Sequence, residues 1–169
     1  MENALLIRFA LPSDLASLRN LFLRSRRTAF FWEACSGFAL EDFDLQTVGE
    51  MQLLAFDGDR LLGFISVWEP DNFVHHLHVH PDAVNRGVGR KLLHALPGWS
   101  TTPYQLKCVA ENTNALAFYR ANNFVQTGRG RAKDQDYFLL AFDCDSTECG
   151  HRNRNQEVAQ SIMTGSARG

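Results

Sequence analysis

No stretch of this chain is apolar for long enough to cross a bilayer. The longest mostly apolar run, Leu61 to Trp68, falls far short of the roughly twenty residues a membrane span needs, so no membrane partner is expected. Nor is there an excess of one charge. Seventeen Lys and Arg against nineteen Asp and Glu give a net charge of −2 and a pI near 6.3, which excludes the basic balance of a nucleic-acid binder. Cysteine is sparse: Cys35, Cys108, Cys144 and Cys149 are scattered without a framework spacing, and a reducing, cytoplasmic setting is expected. The first residues, Met1-Glu2-Asn3-Ala4-Leu5, have no basic start, and Arg8 interrupts their apolar run, so no signal peptide is expected. What is there is core material. Of 169 residues, 45% are hydrophobic and thirteen are Phe, enough for one globular domain.

No repeat or linker divides the chain. Leu5 to Phe9 predicts a short strand. Pro12-Ser13-Asp14 then starts a helix carrying Leu15, Leu18, Leu21 and Phe22 at helical spacing. Residues 26–43 are aromatic and acidic and predict a loop with a second short helix. Met51 to Phe56 and Leu61 to Trp68 predict a hairpin about Asp57-Gly58-Asp59-Arg60. Further strands are predicted at Phe73–His80, Tyr104–Val109, Phe124–Thr127 and Tyr137–Phe142, with a turn over Arg129 to Asp136. Helices are predicted at about Gly87–Leu96 and at Thr113–Ala121. The order β-α-α-β-β-β-α-β-α-β-β implies an α/β fold: a mixed, mostly antiparallel twisted sheet of about seven strands with helices on both faces. Residues 1–142 form the predicted domain. Residues 143–169 are polar apart from Val158, Ile162 and Met163, and predict a flexible tail.

The most informative stretch is Leu77-His78-Val79-His80-Pro81-Asp82-Ala83-Val84-Asn85-Arg86-Gly87-Val88-Gly89-Arg90-Lys91. A strand ends, a loop turns, and a helix begins with two glycines in its first turn. Without Cβ atoms, Gly87 and Gly89 let a ligand approach the backbone, and exposed N–H groups at a positive helix end favour an anion. Arg86, Arg90 and Lys91 add charge. A phosphate-bearing ligand is expected, yet neither common nucleotide motif is present. There is no Gly-Lys-Ser/Thr, and Leu92 stands where a dinucleotide fingerprint needs its third glycine. A flexible helix cap without a ligand is the plain alternative.

This segment resembles the acyl-CoA motif of the GNAT superfamily of N-acetyltransferases, Gln/Arg-x-x-Gly-x-Gly/Ala after a strand ending Leu-x-Val-x-Pro. Leu77, Val79, Pro81, Gly87 and Gly89 match; Val84 stands in place of the Gln or Arg. A second stretch, Asn112 to Phe124, is similar to the family's Asn-x-x-Ala-x-x-Phe-Tyr-x-x-x-Gly-Phe. There Asn112, Ala115, Phe118, Tyr119 and Phe124 match, and Asn123 replaces the glycine, a mild change at a left-handed helix terminus. The resemblance covers about residues 5 to 142. It implies the GNAT fold and direct transfer of an acetyl group from acetyl-CoA to an amine. On it, Val84, Asn85, Arg86, Gly87, Val88, Gly89 and Arg90 hold the pyrophosphate. Leu77 and Val79 pair their backbones with the pantetheine arm, and Asn112 contacts that arm. The Val79 N–H stabilises the oxyanion, and Tyr119 protonates the departing thiolate. On the residues alone, Tyr119 also reads as a core aromatic.

An alkyl ammonium must lose a proton first, at a cost of about 4.6 kcal/mol at neutral pH. Many members of the family carry a Glu twelve residues before the Tyr; here that position is Lys107, which cannot serve in the same way. Four of the six histidines lie in residues 73–80, and histidine suits base work near neutrality. Strand alternation puts His75 on the face of Leu77 and Val79, with His76, His78 and His80 opposite. His75, acting through a water, is the expected base, with His76 second. The alternative for His75 is a hydrogen-bonded residue near a sheet bulge. Neither His76, His78 and His80 nor the group Cys144, Cys149 and His151 has the usual ligand spacing, so no metal is expected. Phe30, Phe31 and Trp32 with Glu33, Glu41 and Asp42 would suit a cationic acceptor, whereas Arg24, Arg26 and Arg27 would suit an acidic one. The acceptor stays open between a small-molecule amine and a protein lysine or N-terminus, and a homodimer is equally open. A non-catalytic acyl-CoA-binding module, favoured by Val84 and Lys107, is the rival from another class. An acetylating enzyme directed at tRNA is disfavoured by the acidic balance.

Overall fold

Among the described residues, turn residues divide the apolar runs into eleven strands and α-helices. They are β1 (Leu6–Phe9), α1 (Leu15–Ala29), α2 (Asp42–Gln46), β2 (Met51–Asp57), β3 (Arg60–Trp68), β4 (Phe73–Val79), α3 (Val88–His94), β5 (Gln105–Val109), α4 (Thr113–Ala121), β6 (Phe124–Ala132) and β7 (Gln135–Phe142). The structure is a computed structural model and describes residues 4–29 and 37–147. The strands form one sheet in the order β1-β2-β3-β4-β5-β7-β6. Every neighbouring pair is antiparallel except β4 with β5. The element order and the mixed, mostly antiparallel sheet are as the sequence predicts.

Each face of the sheet is covered because each strand's apolar side needs a helix to exclude water. On one face Leu18, Leu21 and Phe22 of α1 and Phe43 of α2 pack on Leu54, Phe56, Leu61 and Phe64. On the other, Leu92 and Leu93 of α3 and Leu116 and Tyr119 of α4 pack on Leu53, Ile65, Val67, Leu106 and Leu140. Full burial of one such side chain contributes about 1.5–3 kcal/mol. Asp14 fixes the entry to α1. Its carboxylate accepts from the Leu11 N–H (2.7 Å) and pairs with Arg8 (2.7 Å), which holds its pKa below the usual carboxylate range.

Three local features differ from the sequence reading. The turn expected over 129–136 is instead strand. β6 runs to Ala132, and only Lys133 and Asp134 turn, with φ of 48° and 63°, the left-handed pair that a tight hairpin needs. Gly128 and Gly130 masked the strand signal, since glycine is weak in strands. At Gly130 the missing side chain is filled from across the ladder: a Cβ there would come 2.4 Å from the Tyr137 hydroxyl. Second, β4 departs from plain alternation at a bulge, as the alternative reading of His75 has it: the register with β3 slips between Ser66 and Val67 and leaves His75 without a partner residue. Third, a 3₁₀ turn at Cys144–Thr147 follows β7; Val158, Ile162 and Met163 lie outside the described residues. Among the described residues no helix is long and apolar enough to cross a membrane.

Candidate active site

β4 and β5 start side by side and then part. They pair only at Phe73 with Gln105 and Val74 with Leu106, while β5 keeps its full ladder with β7 from Gln105 to Val109. Beyond Val74, one edge of β4 therefore has no strand beside it. The direction of its free groups follows from the ladder on the other edge. The His80 N–H bonds to the Leu62 carbonyl at 2.7 Å, and His78 and His76 stand opposite Phe64 and Ser66. Successive residues of a strand alternate in hydrogen-bonding direction. The backbone groups of His76, His78 and His80 thus face β3, and those of Leu77 and Val79 face the opening. This is an extended edge ready to take another strand-like chain.

The loop after β4 lies at the open end. Val84 is extended and 54% exposed, while Asn85 and Gly87 take the left-handed region at φ 61° and 76°. Gly87 precedes the first turn of α3 and offers no side chain to its N–H groups, and a Cβ at Gly87 would meet nothing within 4 Å. Gly89 is different. A Cβ there would approach Phe118 Cζ to 3.1 Å and Val79 Cγ2 to 3.7 Å, so glycine lets α3 and α4 close on the end of β4. Val88 and Gly89 are buried, whereas Arg90 is exposed. Arg86 reaches Asp57 of the β2–β3 hairpin at 3.4 Å.

α4 presents Tyr119 next to Phe118. The Tyr119 ring stands edge-on to Phe118 (5.3 Å between centroids) and to Phe124 (5.5 Å), and the residue is 9% exposed. Burial, with the Cys108 thiol adjacent, pushes the phenol pKa upward, so it stays protonated at neutral pH. Its hydroxyl has no hydrogen-bond partner among the described residues, although most buried polar groups have one. Asn112 caps α4 by accepting from the Ala115 N–H at 3.1 Å, and such a cap contributes about 1 kcal/mol. Asn123 closes the helix at φ 65°, the left-handed terminus expected of it. Lys107 sets its ammonium 3.8 Å above the Tyr137 ring.

The histidines divide unexpectedly. Because of the bulge, His75 does not share a face with Leu77 and Val79. Its Nδ1 meets Glu50, whose other carboxylate oxygen accepts from Ser66 Oγ, which puts the His75 ring on the α1 side of β4. His78 sits against the Phe22 and Phe64 rings and shares a 2.8 Å hydrogen bond with Ser25; burial lowers its pKa to about 3, so it is neutral. Burial also lowers the pKa of His76, which donates from Nε2 to the Gln46 carbonyl at 3.3 Å. His80 accepts from the Asp82 N–H at 3.2 Å. Among the described residues no group of His, Cys, Asp or Glu is placed to hold a metal ion. Glu50 was missed by sequence reading. It belongs to no motif and lies 25 positions from its partner His75, so only the fold brings the two together.

Two ion pairs tie α1 to α2. Arg26 binds Asp42 at 2.9 Å, with its guanidinium 4.8 Å from the Phe22 ring and 4.1 Å from Phe38, and Arg19 binds Asp44 at 2.6 Å. The Ala39 N–H and then Arg26 hold Asp42 below the usual carboxylate range. Neither Asp42 nor Arg26 is thus a free charge for an acceptor. Phe30, Phe31, Trp32 and Glu33 lie outside the described residues.

A sheet opened at its parallel pair, with a glycine loop at one end and a buried phenol beside it, defines a fold built to admit an extended ligand between two strands. Residues 15–124 match the family model described as Acetyltransferase (GNAT) family. The chain belongs to that family. No curated protein matches the chain significantly. Among solved structures it is similar to a GCN5-related N-acetyltransferase from Rhodopseudomonas palustris, at 22% identity and TM-score 0.67, covering 82% of this chain and 94% of that one. The PaiA N-acetyltransferase from Thermoplasma acidophilum, solved in complex with coenzyme A, matches at 16% identity and TM-score 0.67 over 83% and 99% of the two chains. The ribosomal-protein-S18-alanine N-acetyltransferase from Escherichia coli matches at 17% identity and TM-score 0.63 over 90% and 98%.

Proposed function

We propose that this chain transfers the acetyl group of acetyl-CoA directly to a primary amine. The observation that carries this reading is the opened edge of β4. Leu77 and Val79 present backbone groups there, and the unpartnered Tyr119 hydroxyl lies on the adjoining helix. An acyl thioester on an extended arm supplies what both lack: amide groups to pair with the edge, and a leaving sulfur for the phenol.

On this reading the backbone of Val84, Asn85, Arg86, Gly87, Val88, Gly89 and Arg90 receives the pyrophosphate, and Asn112, while capping α4, keeps its amide for the arm. The arm enters at the loop and passes Val79 before Leu77. Two residues of strand span about 6.6 Å, so Leu77 lies nearer the acyl end. The Leu77 N–H is therefore the better placed oxyanion donor, with Val79 holding the arm, whereas the sequence reading gives that donor as Val79. Tyr119, kept protonated by burial, gives its proton to the thiolate as the C–S bond breaks. His75 takes the proton from the acceptor. The acceptor is a small-molecule amine or a protein lysine or N-terminus, and the reaction takes place in the cytoplasm.

Release of free thiol from acetyl-CoA in the presence of spermidine, lysine peptides and an alanine-terminated peptide tests the reading. Turnover that disappears in Tyr119→Phe, with acetyl-CoA binding retained, supports it. Binding without turnover on any amine identifies a non-catalytic acyl-CoA-binding module.

A further inference from the structure

Glu50 immediately precedes β2, and its side chain is only 4% exposed. A buried carboxylate needs hydrogen-bond donors, and it has two. Ser66, fully buried on β3, donates its hydroxyl to one oxygen, and His75 Nδ1 meets the other. An ionised carboxylate only accepts, so the His75 hydrogen is on Nδ1. The neutral ring then carries its lone pair on Nε2, which has no partner among the described residues. The ring is 42% exposed, so that nitrogen is not sealed in. It packs at 4.9 Å on Phe73 and 6.3 Å from His76. The groups facing it are Glu50 from just before β2 and His76 from β4, with Arg26 of α1 beyond His76.

The bulge gives this arrangement its direction. It turns His75 to the α1 side of β4, while α3 and its glycine loop lie on the opposite face. His76 is a poorer base on two grounds, since its Nε2 is committed to the Gln46 carbonyl and burial disfavours its charged form. We propose that Glu50 is a positioning residue that fixes His75 as its Nδ1–H tautomer, so that Nε2 serves as the general base toward an amine arriving from the α1 side. This rests on the acyl-transfer reading above. The ammonium of the acceptor gives one proton to Nε2, through a water. The amine lone pair forms the C–N bond, the C–S bond breaks, and the thiolate takes a proton from Tyr119. The imidazolium, stabilised by the Glu50 carboxylate, passes its proton to solvent, and the second amine proton restores the phenol. One acetyl group moves and one net proton is released.

Nitrogen-15 NMR on the intact protein tests the dyad without any acceptor. Wild-type His75 is expected as the Nδ1–H tautomer, and in Glu50→Gln, whose amide can donate as well as accept, the Nε2–H tautomer should become populated. In the thiol-release assay with spermidine and the alanine-terminated peptide, His75→Gln should lower kcat about 100-fold with the KM for acetyl-CoA unchanged. Glu50→Gln should lower kcat about tenfold at neutral pH and displace the acidic limb of the pH profile. An Nε2–H tautomer in the wild type, an unchanged tautomer in Glu50→Gln, or full turnover by His75→Gln overturns the inference while leaving acetyl transfer intact. Failure of the wild-type protein to bind acetyl-CoA overturns the acyl-transfer reading itself, and this inference with it.

Discussion

A buried hydroxyl without a partner costs a fold about 1–3 kcal/mol relative to one that is hydrogen-bonded. Tyr119 carries that cost, and the proposed chemistry explains why. Tyr119→Phe is therefore expected to leave stability in urea unchanged or raised by up to about 1 kcal/mol, while kcat for thiol release falls about 100-fold. A purely structural tyrosine would show neither the gain nor the loss. His78 makes a different prediction. Unfolded, its pKa is about 6.5; folded, burial lowers it to about 3. Its contribution to stability is complete above pH 6.5 and is lost as pH falls from there toward 3, because only the unfolded chain takes up the proton. Each pH unit in that window removes about 1.4 kcal/mol. Unfolding free energies from urea titration at pH 7 and pH 5 should differ by about 2 kcal/mol from this group, and His78→Gln should flatten the difference. At this scale the sequence singles out residues that sit in a motif, as Tyr119, Gly87 and Gly89 do. It was opaque at Glu50, whose contact with His75 exists only because the residue before β2 and a bulged strand come together.

The individual elements were legible because their signals are local. Helical spacing of Leu18, Leu21 and Phe22, the Asp57-Gly58 turn and the Asn112 cap each act within a few residues. Two elements went wrong for reasons that are not local. The β6–β7 hairpin extends through glycines because Tyr137 fills the space beside Gly130 from the opposite strand. The alternation of β4 breaks at His75 because β4 carries one extra residue there opposite Ser66 and Val67 of β3. The two hydrogen-bonding sides of β4 make a sharp test. Leu77→Pro removes an N–H that faces the opening and leaves the β3 ladder whole. It should fold, with acetyl-CoA affinity reduced at least tenfold in calorimetric titration. His78→Pro removes a ladder bond in mid-sheet and should unfold or severely destabilise the protein.

At the scale of the whole molecule, the sheet divides the labour. α3 and α4 shape one face around the glycine loop. α1 and α2, tied by Arg19–Asp44 and Arg26–Asp42, cover the other, toward which His75 turns. The order of strands and helices was foreseeable from turn signals and motif order, whereas the parting of β4 from β5 shows only in the ladder. The choice of acceptor was not foreseeable. Of the charges that suggested one, Arg26 and Asp42 are paired with each other, and a residue's free charge depends on contacts that a linear pattern does not specify. The central claim is that the open edge of β4 takes the arm of acetyl-CoA as a further strand. Residue-resolved amide hydrogen exchange with and without acetyl-CoA tests it most directly. The account predicts that the Leu77 and Val79 amides gain protection at least tenfold beyond that of His76 and His78, whose amides already bond to β3. Saturating acetyl-CoA that leaves Leu77 and Val79 exchanging as fast as before would contradict it.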